Sequence, residues 1–460
     1  MEPRTEYVGH WWIPGDAENG VSGTLEFGSG GDIKLTTVGP LLERPEELDG
    51  PLDTITGLSV DGKSVTLQEC RYTGMESSYP GIERQKFSPR LAAIGMGLEA
   101  PTTPLYTWFS FRFTNIDAWV GRHGFRLETA RSPTSVSLTY DPPAKLDYVL
   151  PDYRMSLTSS AKWSLPSSTK AFQLTQSHWV TIDPFEPTSI EAIRRCVARL
   201  RDFFSLAVGE PVYVEQLWAK SDLATFEFQD RVVHERIELR MRGVSVPPAF
   251  KPAAHSAGML LPFHAVEDDL GEMLSAWVRA SDEIGPVLDL YFGTLYDDAL
   301  YPERHLLFLA QAVETYHRRT SDETDLPQEQ HDRRMQEILN GQSDHRDWLE
   351  QRLQFSNELS LRRRVKTLTR RYKNVLGDYI SPKSFADRVV NTRNYLTHYT
   401  REMEGRSAKG IQLVDLVFKL RTLLEACLLS ELGLADDQIA LALRDRIRER
   451  EFIVANNTDR

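Results

Sequence analysis

The period of the apolar pattern changes lastingly near residue 265, and that change limits the fold to two unlike parts. Before it, short apolar runs alternate with polar positions between Gly- and Pro-rich turns. After it, apolar residues recur at three- and four-residue spacing. The expected class is α+β and multidomain, with a β-rich, sandwich-like N-terminal region followed by a C-terminal α-helical bundle.

In the first part, Gly23-Thr24-Leu25-Glu26-Phe27 and Ile33-Lys34-Leu35 are joined by Gly28-Ser29-Gly30-Gly31, a hairpin signal. Runs at 57–60, 64–70, 105–113, 135–140 and 172–182 repeat the pattern, and Asp141-Pro142-Pro143 and Pro166-Ser167-Ser168 punctuate it. Many short strands of this kind predict a sandwich or a curled sheet. A helix interrupts near 189: Thr188 and Glu191 make a capping-box pattern, Ile190, Ile193, Val197, Leu200 and Phe204 follow at helical spacing, and Gly209 ends it. Strand character returns at 212–218, 225–228 and 237–241, and the Pro-rich stretch 246–252 reads as a connector. The expected domains are 1–185, a region 186–264 that completes the N-terminal part, and a helical domain 265–460 with its core at about 300–450.

The helical part opens with Leu270, Met273, Leu274 and Trp277 on one face, then Leu306, Leu309, Ala310 and Val313 on another. Residues 321–332 read as a polar loop. Helices are expected near 348–355, 361–376, 384–402, 410–432 and 436–451.

Composition excludes several classes. The 460 residues are 41% hydrophobic, enough for buried cores, with no apolar run long enough for a membrane span. Cys70, Cys196 and Cys427 are few and far apart, so neither a disulfide framework nor a zinc site is expected, and a reducing cytoplasm fits. The N-terminus lacks the basic-then-apolar pattern of a secretory signal. A net charge of −12 disfavours a protein that coats nucleic acid by its overall charge, but allows one local basic groove.

Two segments carry chemistry. Arg393-Asn394-Tyr395-Leu396-Thr397-His398 sets a guanidinium, an amide and an imidazole within one helical stretch. Imidazole exchanges a proton near neutral pH, and a guanidinium holds a phosphate. The string alone is weak, since Arg4 and His10 make a similar pair. If 384–402 is one helix, Phe385, Val389, Thr392, Leu396 and Tyr399 form its core face, Asn394 and His398 lie opposite, and Arg393 sits on the flank. Arg393 and His398 then diverge by about 140°. Either the helix bends or begins near 391–393, or two copies meet across a twofold axis and place both pairs in one cleft. A solvated polar face is the plain alternative. The second segment is the basic run Arg362, Arg363, Arg364, Lys366, Arg370, Arg371 and Lys373, with Leu361, Val365, Leu368 and Tyr372 left for the core. It reads either as an RNA-backbone footprint or as a solvated helix paired with acids such as Asp344, Asp347 and Glu350. His305, His317, His331 and His345 read as surface or packing residues. Trp11, Trp12, Trp108, Trp119 and Trp179 read mostly as core.

The C-terminal half resembles the ApeA-like HEPN proteins of bacterial anti-phage defence. The likeness rests on Arg393-Asn394-x-x-x-His398, on the helix 307–319 from Leu307 to Arg319, on Trp277 with the segment 286–292, and on the opening His10-Trp11-Trp12-Ile13-Pro14-Gly15 followed by Gly23–Phe27. It implies a homodimeric, metal-independent RNA endonuclease of abortive-infection type that needs no cofactor. Relatives cut single-stranded loops, including those of tRNA. The resemblance implies that His398 serves as general acid or base and that Arg393 stabilises the phosphorane. Asn394 would orient His398 or bond a phosphate. Glu314 would either fix Arg393, as an acidic residue does in many HEPN domains, or simply pair with Arg318 one turn away. The N-terminal region would sense a phage-derived trigger. The competing expectation is a non-catalytic HEPN dimerisation scaffold with a β-rich partner-binding module.

Overall fold

The computed structural model describes residues 6–457, except Ser29, 45–48, Ser78, 132–133, 165–169, Ser245, Pro248, Ala254, 298–300, 341–344 and 382–383, and at 130, 131, 134 and 135 the backbone alone. Arg4, the Ser29 link, the 166–168 turn, Pro248 of the connector and Asp344 therefore lie outside the described residues. The chain divides into two compact units: one reaches to residue 271, and the other holds 209–211, 258–261 and 272 onward.

The strands of the first unit are β1 (Glu6–Trp12), β2 (Val21–Phe27), β3 (Ile33–Val38), β4 (Leu52–Ser59), β5 (Ser64–Glu76), β6 (Arg84–Ser88), β7 (Leu91–Ile94), β8 (Trp108–Phe113), β9 (Phe125–Arg131), β10 (Thr134–Tyr140), β11 (Leu146–Val149), β12 (Tyr153–Ser164), β13 (Gln173–Pro184), β14 (Val214–Lys220), β15 (Thr225–Phe228), β16 (Arg231–His234) and β17 (Ile237–Met241). The hairpins β9–β10 and β15–β16 stand apart, and the other strands form one sheet in the order β11-β12-β13-β8-β14-β17-β7-β5-β4-β1-β2-β3-β6.

β6 also pairs with β5, so six strands close into a ring while the remainder forms an open wing. The sandwich-like expectation thus becomes the curled sheet. Its cause lies in β5. The first half pairs with β7, from Val65 opposite Ile94 to Gln68 opposite Leu91. Glu69 then takes a left-handed φ of 50°, a register shift falls between Tyr72 and Gly74, and the second half pairs with β6. Such irregularities bend a strand and let it serve two neighbours. Alternation on β2 and β3 sends Leu25, Ile33 and Leu35 into the ring, where they meet Tyr7, Trp11, Ile55, Leu67 and Phe87. A Cβ at Gly57 would overlap the Trp11 indole, so that position needs glycine.

The helices are α1 (Ile116–Val120), α2 (Ile190–Val208), α3 (Phe263–Val266), α4 (Leu270–Glu283), α5 (Gly285–Tyr296), α6 (Pro302–Thr320), α7 (Gln328–Leu339), α8 (Arg346–Leu353), α9 (Leu361–Arg371), α10 (Lys373–Leu376), α11 (Phe385–His398), α12 (Arg401–Glu404), α13 (Ile411–Glu431) and α14 (Asp436–Asn457). Ser189, not Thr188, caps α2 by accepting from the Ala192 N–H at 3.3 Å, because Thr188 bridges to Tyr106. In the second unit, α6 packs on α5, α9, α11 and α13. Its Leu306, Leu309, Ala310 and Val313 are all buried. The segment expected as a polar loop gives way to α7 from Gln328, a helix with no buried residue.

Between α13 and α14 lies a buried ion pair. Arg450 donates to both Glu425 carboxylate oxygens at 2.7 Å and to Thr422 Oγ1, and the Tyr291 hydroxyl donates to Glu425 at 3.2 Å. Burial alone would raise the Glu425 carboxyl, but Arg450 beside it holds it below the ordinary value. Removing one partner of such a buried pair would leave an uncompensated charge, at a cost of about 3–5 kcal/mol. No helix of the described residues is long and apolar enough to cross a membrane.

Candidate active site

α11 places the Arg393–His398 string. Phe385, Ala386, Val389, Thr392 and Leu396 are its buried face. The helix neither begins nor breaks near 391–393; it runs from Phe385 to His398 and ends there. Tyr399 adopts a left-handed φ of 50°, donates its N–H to the Tyr395 carbonyl, and stands exposed. The expected single helix 384–402 is therefore α11 followed by the short α12, and Tyr399 leaves the core face. The left-handed residue is what stops the helix.

Arg393 and Asn394 are half-buried, and His398 is exposed. At 100° per residue, Asn394 and His398 form the outward crest of α11. Arg393 and Thr397 descend on one flank, Tyr395 and Tyr399 on the other. Arg393 Nη1 donates to Asn394 Oδ1 at 3.2 Å, and Thr397 Oγ1 donates to the Arg393 carbonyl at 2.8 Å. Asn394 thus holds the guanidinium; no hydrogen bond joins it to His398 among the described residues.

On the Arg393 flank, α11 and α6 enclose a groove of about 550 Å³. Arg393 and Thr397 supply one wall, and Phe308, Gln311, Glu314, Thr315 and Arg318 the other. Glu314 therefore faces the same space as Arg393. Its ion pair, however, is with Arg318 at 3.4 Å, and Arg318 also reaches Glu358 at 2.7 Å. No hydrogen bond joins Glu314 to Arg393 among the described residues. The stripe Phe308, Gln311, Thr315, Arg318 was not singled out in the sequence. Its three- and four-residue spacing on a helix with its core face elsewhere was the available signal.

The basic run does not act as one surface. Arg364 is 3% exposed. It donates to the Leu359 carbonyl at 2.9 Å, lies 3.3 Å from His317 Nδ1, and pairs with Glu358 at 3.7 Å. It cannot meet an RNA phosphate without unfolding its surroundings, so its expected backbone contact is corrected to a structural role. Arg362 pairs with Asp387 at 3.2 Å, Arg363 with Asp325, and Arg371 with Asp436 at 3.4 Å. These acids, rather than Asp347 and Glu350, neutralise the helix. Lys366 is half-buried, Arg370 and Lys373 are exposed, and no ion pair joins any of the three among the described residues. His317 is buried, and burial, reinforced by Arg364, pushes its imidazole below the ordinary value. Trp11 and Trp119 are core, whereas Trp12, Trp108 and Trp179 are half-buried.

The profile of ApeA N-terminal domain 1 matches residues 6–277, and that of the Apea-like HEPN matches 307–438. Neither a curated protein nor a solved structure matches the chain. The HEPN match covers α9, α11 and α6 from Leu307 onward, and an ApeA domain beside a HEPN domain indicates a nuclease role in anti-phage defence. With the two profiles spanning most of its length, the chain belongs to the ApeA-like HEPN family.

Proposed function

We propose that this protein is a metal-independent RNA endonuclease whose chemistry takes place on the outward side of α11, in a site shared by two copies. One observation carries the reading. Asn394 holds Arg393 over an open groove, while His398 stands exposed on the crest of the same helix. A guanidinium with a fixed direction can meet the phosphoryl oxygens, and an exposed imidazole can reach a sugar hydroxyl.

RNA brings its own nucleophile, the 2′-hydroxyl. One His398 removes that proton, and the 2′-oxygen attacks phosphorus. Arg393 stabilises the added charge, the P–O5′ bond breaks, and the 5′-oxygen takes a proton from the partner's His398. The products are a 2′,3′-cyclic phosphate and a 5′-hydroxyl. The second copy answers a geometric need, because Arg393 and His398 of one helix point about 140° apart. Lys366, Arg370 and Lys373 supply the remaining attraction for the backbone. In this reading the N-terminal unit meets a phage-derived trigger and governs the nuclease.

The test is RNA cleavage in EDTA by the full chain, purified in its activated state from phage-infected cells. Wild type should leave cyclic phosphate ends, and His398→Ala should lower the rate by about 10²-fold or more with an unchanged melting profile. Cleavage that survives this substitution removes His398 from the mechanism. Association into dimers without any cleavage would instead favour the scaffold reading.

A further inference from the structure

The flank of α11 opposite Arg393 carries a second groove, of about 640 Å³. Its polar character differs from the first. Tyr395 and Tyr399 line it from α11, and Tyr301 from the start of α6. Tyr399 is 65% exposed and Tyr301 71%. The Tyr395 and Tyr399 rings meet edge to face at 5.4 Å, and Lys409 Nζ sits over the Tyr395 ring at 5.8 Å. Lys409 is itself neutralised by Glu404 at 2.7 Å, and the Arg304 cation shares the wall with the Glu303 carboxylate. The groove is therefore aromatic and close to neutral. A phosphate gains little there, whereas a planar neutral ring gains stacking surface.

The backbone at Tyr399 points the same way. A left-handed φ suits glycine or asparagine and costs a tyrosine about 1 kcal/mol. An exposed side chain that packs little does not offset that cost through the core. Outliers of this kind gather where a side chain is kept for binding. Leu307 lines both grooves, so they adjoin beneath the crest that carries His398.

We propose that this second groove is a nucleobase-stacking subsite. An unpaired base of a single-stranded RNA lies against Tyr399 and Tyr301, while the neighbouring phosphate crosses the crest to His398 and Arg393. The subsite deepens the endonuclease reading above and rests on it for the direction of the strand. It selects single strands, because a base held in a duplex cannot present its face.

The experiment uses the full-length protein and a short single-stranded RNA blocked from cleavage by 2′-O-methyl groups and bearing one 2-aminopurine. Binding should quench the aminopurine. Tyr399→Ala and Tyr301→Ala should each weaken binding about tenfold and relieve the quench. Tyr399→Phe should behave as wild type, since the ring and not the hydroxyl is used. Exposure of both side chains predicts unchanged melting for each variant. Free adenosine monophosphate should compete weakly; competition as strong as the oligonucleotide's would make the groove a nucleotide site and overturn the RNA assignment. Equal binding by wild type and Tyr399→Ala, equal loss in the Ala and Phe variants, or no binding by wild type would each overturn it as well. Cleavage is read separately. His398-dependent cleavage with tyrosine variants that bind normally discards the subsite and keeps the nuclease. Tyrosine-dependent binding without such cleavage keeps the subsite and discards the nuclease.

Discussion

α9 and α11 are neighbours on α6 with opposite histories of charge. α9 holds most of the densest cationic run in the chain, yet Arg362, Arg363, Arg364 and Arg371 are engaged by Asp387, Asp325, Glu358 and Asp436. α11 holds few cations, yet it presents Arg393 to a groove and His398 to solvent. Abundance of charge is therefore a poor guide to availability. An arginine already paired with a carboxylate must break that pair to meet a phosphate, and the exchange gains little. One held by a neutral amide, as Arg393 is by Asn394, loses far less.

The contrast can be broken most sharply by exchanging arginine for alanine on each helix. Arg393→Ala should cut RNA cleavage by about 10²–10³-fold, as expected for loss of a group that stabilises developing charge, and leave thermal unfolding where it was. Arg364→Ala should do the reverse. Removing its guanidinium leaves the Leu359 carbonyl and His317 Nδ1 without that partner, at a cost of about 2–3 kcal/mol in unfolding experiments. A cleavage defect in Arg364→Ala at a temperature where it remains folded would contradict the division.

Salt dependence sharpens the comparison within α9 and α10. Neutralising Lys366, Arg370 and Lys373 together should lower the slope of log affinity for RNA against log salt by about 2. Neutralising Arg362, Arg363 and Arg371 should lower it by less than about 1. Equal slopes would mean that the ion pairs open on binding.

The smallest expected effect concerns acid stability. His317 has its folded value pushed below that of a free imidazole, so the unfolded chain binds more protons below about pH 6.5. Stability from this site is full above that pH and is lost as pH falls toward the depressed folded value. His317→Gln should therefore flatten the fall in the urea midpoint between about pH 7 and pH 5.5, relative to wild type. A fall of the same steepness in both proteins would exclude His317 as its source.

Much of this architecture is legible in the sequence because it is written in period. Alternation marked the β2–β3 hairpin, and three- and four-residue spacing marked the buried Leu306, Leu309 and Val313 of α6. The ring closure was not legible, since it depends on β5 bending at Glu69 to reach β6 and on a pairing between distant segments. α7 was missed because none of its residues is buried and its apolar positions, Met335, Ile338 and Leu339, are confined to its second half. The end of α11 was missed because Tyr399 takes a conformation its residue type disfavours. Arg364 could not be told from its neighbours in the run. Its position about 40° from Leu368 on the helical wheel was the one hint of burial.

RNA ends decide the central claim that the outward side of α11 performs the cleavage. Transcripts from infected cells carrying wild type or His398→Ala would be sequenced for 5′-hydroxyl and 2′,3′-cyclic phosphate termini. Infection-dependent cuts of that chemistry in wild type, absent from His398→Ala at equal protein level, are the expected result. The same cuts at the same frequency in both strains would contradict it.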